Sequence, residues 1–150
     1  MEIKHFDNIV KITLHSVPDK PGIAAQIFQE LGDHSINVEL ITHVSTGKDK
    51  VDVSFAMLKS DLDEVLNLLN KIKAKIGAKE VSHDKEVGII SVYGKEFEGK
   101  PGTAGKIFSA LGKAGINIEM INTSFSSASC VISKRSIQSA IEAIEKEFKT

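Results

Sequence analysis

Cysteine occurs once in this chain of 150 residues, as Cys130. A single thiol rules out an internal disulfide framework and suits a reducing compartment. Set in an apolar run, Cys130 reads as a small buried residue rather than a nucleophile. Aromatic side chains make up 5% of the chain, too few for the base-stacking sheet of an RNA-binding domain. The formal net charge is -1 at pH 7, and the lysines are scattered among Glu and Asp. No basic run is present to address a nucleic acid or another polyanion. No apolar stretch approaches the roughly 18 residues of a membrane span. The opening segment MEIKHFDN is charged and unlike a signal peptide. The expected setting is cytoplasmic, with neither a nucleic-acid nor a membrane partner.

Catalytic signatures are equally scarce. His5, His15, His34, His43 and His83 share no metal-like spacing, and with one cysteine a zinc site is not expected. Ser126-Ser127-Ala128-Ser129 lacks the glycines of a nucleophile elbow. Gly94 and Gly99 flank a loop without forming a dinucleotide or phosphate-loop pattern. The reading is therefore of a chain with no catalytic residue, no metal and no cofactor.

What the chain has is a repeat. Lys20 to Ile41 reads KPGIAAQIFQELGDHSINVELI, and Lys100 to Ile121 reads KPGTAGKIFSALGKAGINIEMI, without a gap between the copies. A repeat of this length means two copies of one structural unit.

Periodicity supplies the elements. Val10, Ile12 and Leu14 alternate with polar residues, as do Ile36, Val38 and Leu40, and Val51, Val53, Phe55 and Met57, each the pattern of a half-buried strand. The polar run Ser45 to Lys50 between the last two predicts a hairpin turn. Ile23, Ile27 and Leu31 with Ala24 and Phe28 line a helix opened by Pro21. Leu62, Val65, Leu66, Leu69 and Ile72 line a second, with Ser60 as its expected N-cap and Gly77 as its stop. Residues 78–83 read as a short strand. The first module, 8–84, is thus β-α-β-β-α-β, a ferredoxin-like order.

The second module repeats it: a strand over Val87 to Tyr93, a helix opened by Pro101, strands over Ile116 to Ile121 and Ser129 to Ile132, and a final helix through Ile137, Ile144 and Phe148. It then lacks its last strand. Residues 2–6, by contrast, have no place in the first module. The expected fold is an α/β chain in the α+β sandwich sense: two interlocked modules, with the N-terminal strand completing the second sheet. The second module is accordingly discontinuous, 85–150 plus 1–7.

The loop Val17-Pro18-Asp19-Lys20-Pro21-Gly22 ahead of the first helix suits a small zwitterion. A helix N-terminus favours a carboxylate, Gly22 lets a ligand approach the backbone, and Asp19 can accept hydrogen bonds from an ammonium group. An alternative is that Asp19 only caps the helix. The second copy carries Gly99 where the first has Asp19, which ties the ammonium contact to the first copy.

VPDKPGIAAQIF, SINVELI and KPGTAGKIFSALGKAGINIEMINTS together resemble the tandem ACT domains of aspartate kinase (aspartokinase), and the IKHFDN segment is similar to the strand that precedes the first module in that family. The resemblance covers nearly the whole chain. It implies a regulatory region that binds lysine or threonine, mediates feedback inhibition, forms a homodimer and serves an aspartate kinase catalytic domain or subunit. Carried over by motif, Asp19, Pro21, Gly22, Ile23 and Ala24 would line one side of the effector, with Asn117 and Ile118 on the other. His43 falls where many relatives place a ligand-touching glutamine, and reads equally as a plain strand-end residue. Residues 124–129 depart from the family's charged pattern, leaving the effector undetermined. Two other readings stay open: a free-standing ACT amino-acid sensor for a different enzyme, and a dimerisation module without a ligand.

Overall fold

The computed structural model describes residues 1–149. Thr150, the last residue of the expected second module, lies outside the described residues. The elements are β1 (Glu2–Pro18), α1 (Ile23–Asp33), β2 (Glu39–Gly47), β3 (Lys50–Leu58), α2 (Leu62–Ile76), β4 (Glu80–Tyr93), α3 (Thr103–Lys113), β5 (Ile118–Thr123), β6 (Ser127–Ser133) and α4 (Ile137–Phe148). The chain divides into two compact units. The first is Asn8–Lys85; the second joins Met1–Asp7 to the chain from Glu86 onward.

In the first unit the hydrogen-bonded strand order is β2-β3-β1-β4. Val10, Ile12, Leu14 and Val17 of β1 and Val51, Val53, Phe55 and Met57 of β3 turn the same alternate positions toward α1 and α2. Ile23, Ile27 and Leu31 of α1 and Val65, Leu69, Ile72 and Ile76 of α2 meet them. Phe28 and Phe55 make an edge-to-face contact at 5.6 Å between ring centres, the arrangement that opposed ring quadrupoles favour.

In the second unit the order is β1-β4-β6-β5. Its core gathers Ile90 and Val92 of β4, Cys130 and Ile132 of β6, Ile107 and Leu111 of α3, and Ala140 and Ile144 of α4. Ile3 packs against this cluster, so the N-terminal segment completes the second sheet. The approach needs a glycine. A Cβ added at Gly88 would lie 2.8 Å from the Phe6 carbonyl oxygen and would run into the Ile137 side chain.

Several boundaries differ from those read in the sequence. Residues 2–6 and 10–14 are not separate strands but parts of the unbroken β1, and residues 78–83 and 87–93 merge in β4. Neither junction contains a Gly or Pro that would end a strand. The expected strands at Ile36 and Ile116 start later, at Glu39 and Ile118. Ile36 and Ile116 are buried, but each spends its N–H on the preceding helix, bonding Leu31 and Leu111 carbonyls at 3.0 Å. Ser35 at φ 59 and Gly115 at φ 74 supply the left-handed turn that makes this closure possible. The β2–β3 hairpin is tighter than expected, with only Lys48 and Asp49 outside the strands. Ser60 is not the cap of α2: a single 3-10 turn over Lys59–Asp61 comes first, and Asp61 is the boundary residue, with no side-chain capping bond. Pro21 and Pro101 each lie one residue before the N-cap glycine rather than inside the first turn. Gly77 ends α2 as expected, at φ 77. No helix among the described residues is long and apolar enough to cross a membrane.

The Gly88 contact yields a prediction with a built-in control. Gly88→Ala forces a methyl against a backbone oxygen and should cost about 1–3 kcal/mol. Gly105→Ala in α3 meets nothing within 4 Å, matches Ala25 in the first copy, and should instead stabilise by about 0.5–1 kcal/mol. Thermal denaturation of the two variants checks the opposite signs.

Candidate functional site

The loop between β1 and α1 is shaped by an irregularity at the end of β1. The β1–β3 register shifts between Leu14 and Val17, and Ser16 takes a positive φ of 52. Three polar groups hold this bulge. Ser16 N–H donates to Asp52 Oδ1 at 2.9 Å. His15 Nε2 and Ser82 Oγ share a hydrogen bond of 2.6 Å, and His15 Nδ1 lies 3.7 Å from Asp52 Oδ2. Lys79 N–H also donates to the His15 carbonyl at 2.9 Å. A bulge bends and re-aims the strand that carries it, and here it delivers the chain into Val17-Pro18-Asp19. Asp19 N–H is then fixed on the Asp49 carbonyl at 2.8 Å.

That anchoring leaves the Asp19 carboxylate half exposed. The helix N-cap is Gly22, at φ 90, without a side-chain capping bond. Asp19 is therefore not the cap of α1. The first helical bond runs from Gln26 N–H to the Gly22 carbonyl at 3.0 Å, and Ile23 N–H turns back to Lys20 at 3.3 Å. The N–H groups of Ala24 and Ala25 precede the first regular acceptor, as at any helix start. They carry the positive end of the helix dipole.

The sequence-predicted residues of the first unit gather here with different parts to play. Pro21, Gly22 and Ala24 are exposed at the helix start. Ile23 is buried in the core, so only its backbone belongs to the loop surface. His43 of β2 comes to the same place: its Nε2 lies 3.8 Å from Asp19 Oδ1. In the second unit, Asn117 is exposed just ahead of β5, and Ile118, half buried, opens that strand and pairs with Ile132.

The second copy's loop is built differently. A 3-10 turn over Lys95–Phe97 precedes it. Thr103 Oγ1 donates to the Glu96 carbonyl at 2.6 Å and reaches the Lys100 carbonyl at 3.2 Å. Thr103 is buried, and the first copy has Ile23 in its place, where no such tie is possible. Sequence reasoning weighed Asp19 against Gly99 and passed over Ile23 against Thr103, although the same repeat contains both. Residues 124–129 form the β5–β6 hairpin, closed by a Ser124–Ser127 hydroxyl bond of 2.8 Å with Phe125 exposed at its tip. Cys130 is buried, and burial pushes its thiol up to about 12, which keeps it protonated and unreactive. Among the described residues no cluster of His, Cys, Asp and Glu is arranged to hold a metal.

Comparison with known proteins agrees with the fold. One ACT-domain profile matches residues 11–74 and a second matches residues 90–148. The regulatory subunit of aspartate kinase from Thermus thermophilus, solved in its ligand-free form, superposes with a TM-score of 0.92 at 30% identity, over 99% of this chain and 98% of that one. The chain belongs to the tandem ACT regulatory family of aspartate kinase. A solved structure of aspartokinase alpha and beta subunits matches with a TM-score of 0.91 at 32% identity, over 99% of this chain and 97% of that one. The aspartate kinase of Stutzerimonas stutzeri strain A1501 is 31% identical over 139 residues, which is 93% of this chain and 34% of that protein. The ACT chain thus spans about a third of the length of the curated aspartate kinases it matches. It is a regulatory portion of such an enzyme.

The Thr103 tie predicts a measurable difference between the two ACT loops. Thr103→Val keeps the shape but leaves the Glu96 carbonyl without its donor, and should lower stability by about 1–3 kcal/mol. Denaturant titration checks this. Ile23→Val, which removes one methylene and no hydrogen bond, should cost about 0.5–1.5 kcal/mol.

Proposed function

We propose that this chain binds a free amino acid, lysine or threonine, at the first module's β1–α1 loop and so mediates feedback inhibition of aspartate kinase. The observation that carries the reading is the Asp19 carboxylate: half exposed, released from any capping role, and set beside the uncapped N-terminus of α1. An α-amino acid has an ammonium group for the first and a carboxylate for the second. Pro21, Gly22, Ile23 and Ala24 supply the backbone around the carboxylate, and His43 lies against the ammonium position. Asn117 and Ile118 enter the proposal through the family resemblance alone, as effector contacts supplied by a second module. The second copy's own loop, with Gly99 for Asp19 and its Thr103 tie, has no counterpart to the ammonium contact.

The regulatory units in this account are the modules 8–84 and 85–150 plus 1–7, working as a homodimer in the cytoplasm with an aspartate kinase catalytic domain or subunit. Effector binding acts by population shift: it favours whichever quaternary arrangement offers the complete site, and inhibition follows from the difference in affinity between arrangements.

Titration calorimetry with threonine and with lysine tests the proposal. One of the two should bind saturably. Asp19→Ala should weaken that binding by about tenfold or more, the scale of a hydrogen bond to a charged group, while leaving thermal stability nearly unchanged. No heat with either amino acid, or an Asp19→Ala variant that loses stability and not affinity, would count against it.

A further inference from the structure

We infer that His43 makes effector binding proton-linked, holding the ammonium position of the site when charged and yielding it when neutral. The inference rests on the amino-acid site proposed above and specifies how that site is regulated. Its observation is the His43 Nε2 to Asp19 Oδ1 distance of 3.8 Å, between two side chains that are each about half exposed. An imidazolium there presents a positive charge to the same carboxylate oxygen that the effector's ammonium needs. Imidazole is the side chain whose charge ordinarily changes near neutral pH.

The surroundings keep the competition local. β2 pairs with β3 alone, and there His43 faces the uncharged Val53. The nearest charged residue on that strand, Asp52, lies opposite Val44 and is already engaged by Ser16 N–H and His15. Lys48, Asp49 and Lys50 lie at the hairpin end, Glu39 at the start of β2, and Lys20 next to Asp19 in the loop. Among these acidic groups, Asp19 is the one that pairs with the His43 ring. Such a pair is too open to water to dominate binding; exposed pairs change an equilibrium only modestly. The sign is definite. Protonated His43 opposes the ammonium, so binding releases a proton and the affinity rises with pH. The equivalent position in the second copy is Thr123, which does not titrate.

Calorimetry with threonine and lysine between pH 5.5 and 8, in buffers of different ionisation enthalpy, tests this. The wild-type chain should bind about two- to fivefold more weakly at the acidic end, with net proton release that shrinks as salt is raised. In His43→Gln the pH dependence should flatten and the proton release should be lost, whatever the affinity of the variant itself. An unaltered pH slope in His43→Gln, or binding that tightens on acidification, would overturn the inference while leaving the amino-acid site standing. Absence of binding at every pH would instead remove the site itself.

Discussion

The close approach of the Phe6 carbonyl to Gly88 is the constraint on which the second unit depends. A ferredoxin-like module with only three strands of its own leaves a sheet edge unpaired and part of its core uncovered. The N-terminal segment supplies both needs, and Ile3 adds its side chain to the apolar cluster. A Cβ at position 88 would meet the Phe6 carbonyl oxygen at 2.8 Å, close enough that the segment or the Cβ would have to shift. The consequence for the chain is topological. β1 and β4 run long, and each contributes to both units, so the second unit is assembled from two separate stretches of sequence while the first is continuous.

A second constraint is local and concerns what each loop does with its polar groups. The two copies begin their helices alike, with Lys-Pro-Gly and a glycine N-cap in the left-handed region at φ 90 and φ 95. From there they diverge. In the second, Thr103 turns inward and satisfies the carbonyls of the preceding turn. In the first, Ile23 goes into the core, the β1 bulge is held by His15, Asp52 and Ser82, and the Asp19 carboxylate is left facing out. One loop is tied by a side-chain hydroxyl to its own carbonyls, and the other has no such tie and leaves its carboxylate half exposed. That contrast is the physical basis for proposing a single kind of effector loop in a duplicated fold.

Much of this was legible in the sequence because the repeat and the two periodicities are strong signals. The offset copies imply a duplicated unit, and the missing final strand beside an unplaced N-terminal segment implies how the second sheet is completed. What was illegible depends on three-dimensional partners. Nothing in residues 2–18 marks one strand rather than two, since which strands flank β1 is invisible to a period-two pattern. Ile36 and Ile116 alternate like strand residues, yet their N–H groups close the preceding helices. Ser60 has the chemistry of a cap, but an intervening 3-10 turn moves the helix start past it. At the candidate site, Asp19 was proposed from its type and position, whereas its freedom from capping required the backbone geometry at Gly22. The nearness of His43 required knowing that the edge strand β2 carries it to the loop.

Amide hydrogen exchange with and without bound threonine or lysine tests the central asymmetry most directly. If the first loop is the effector site, ligand should slow exchange at residues 22–26, across the start of α1, while the matching amides at 102–106 in the second loop stay unchanged. Equal protection of the two helix starts, or protection at the second alone, would contradict the account.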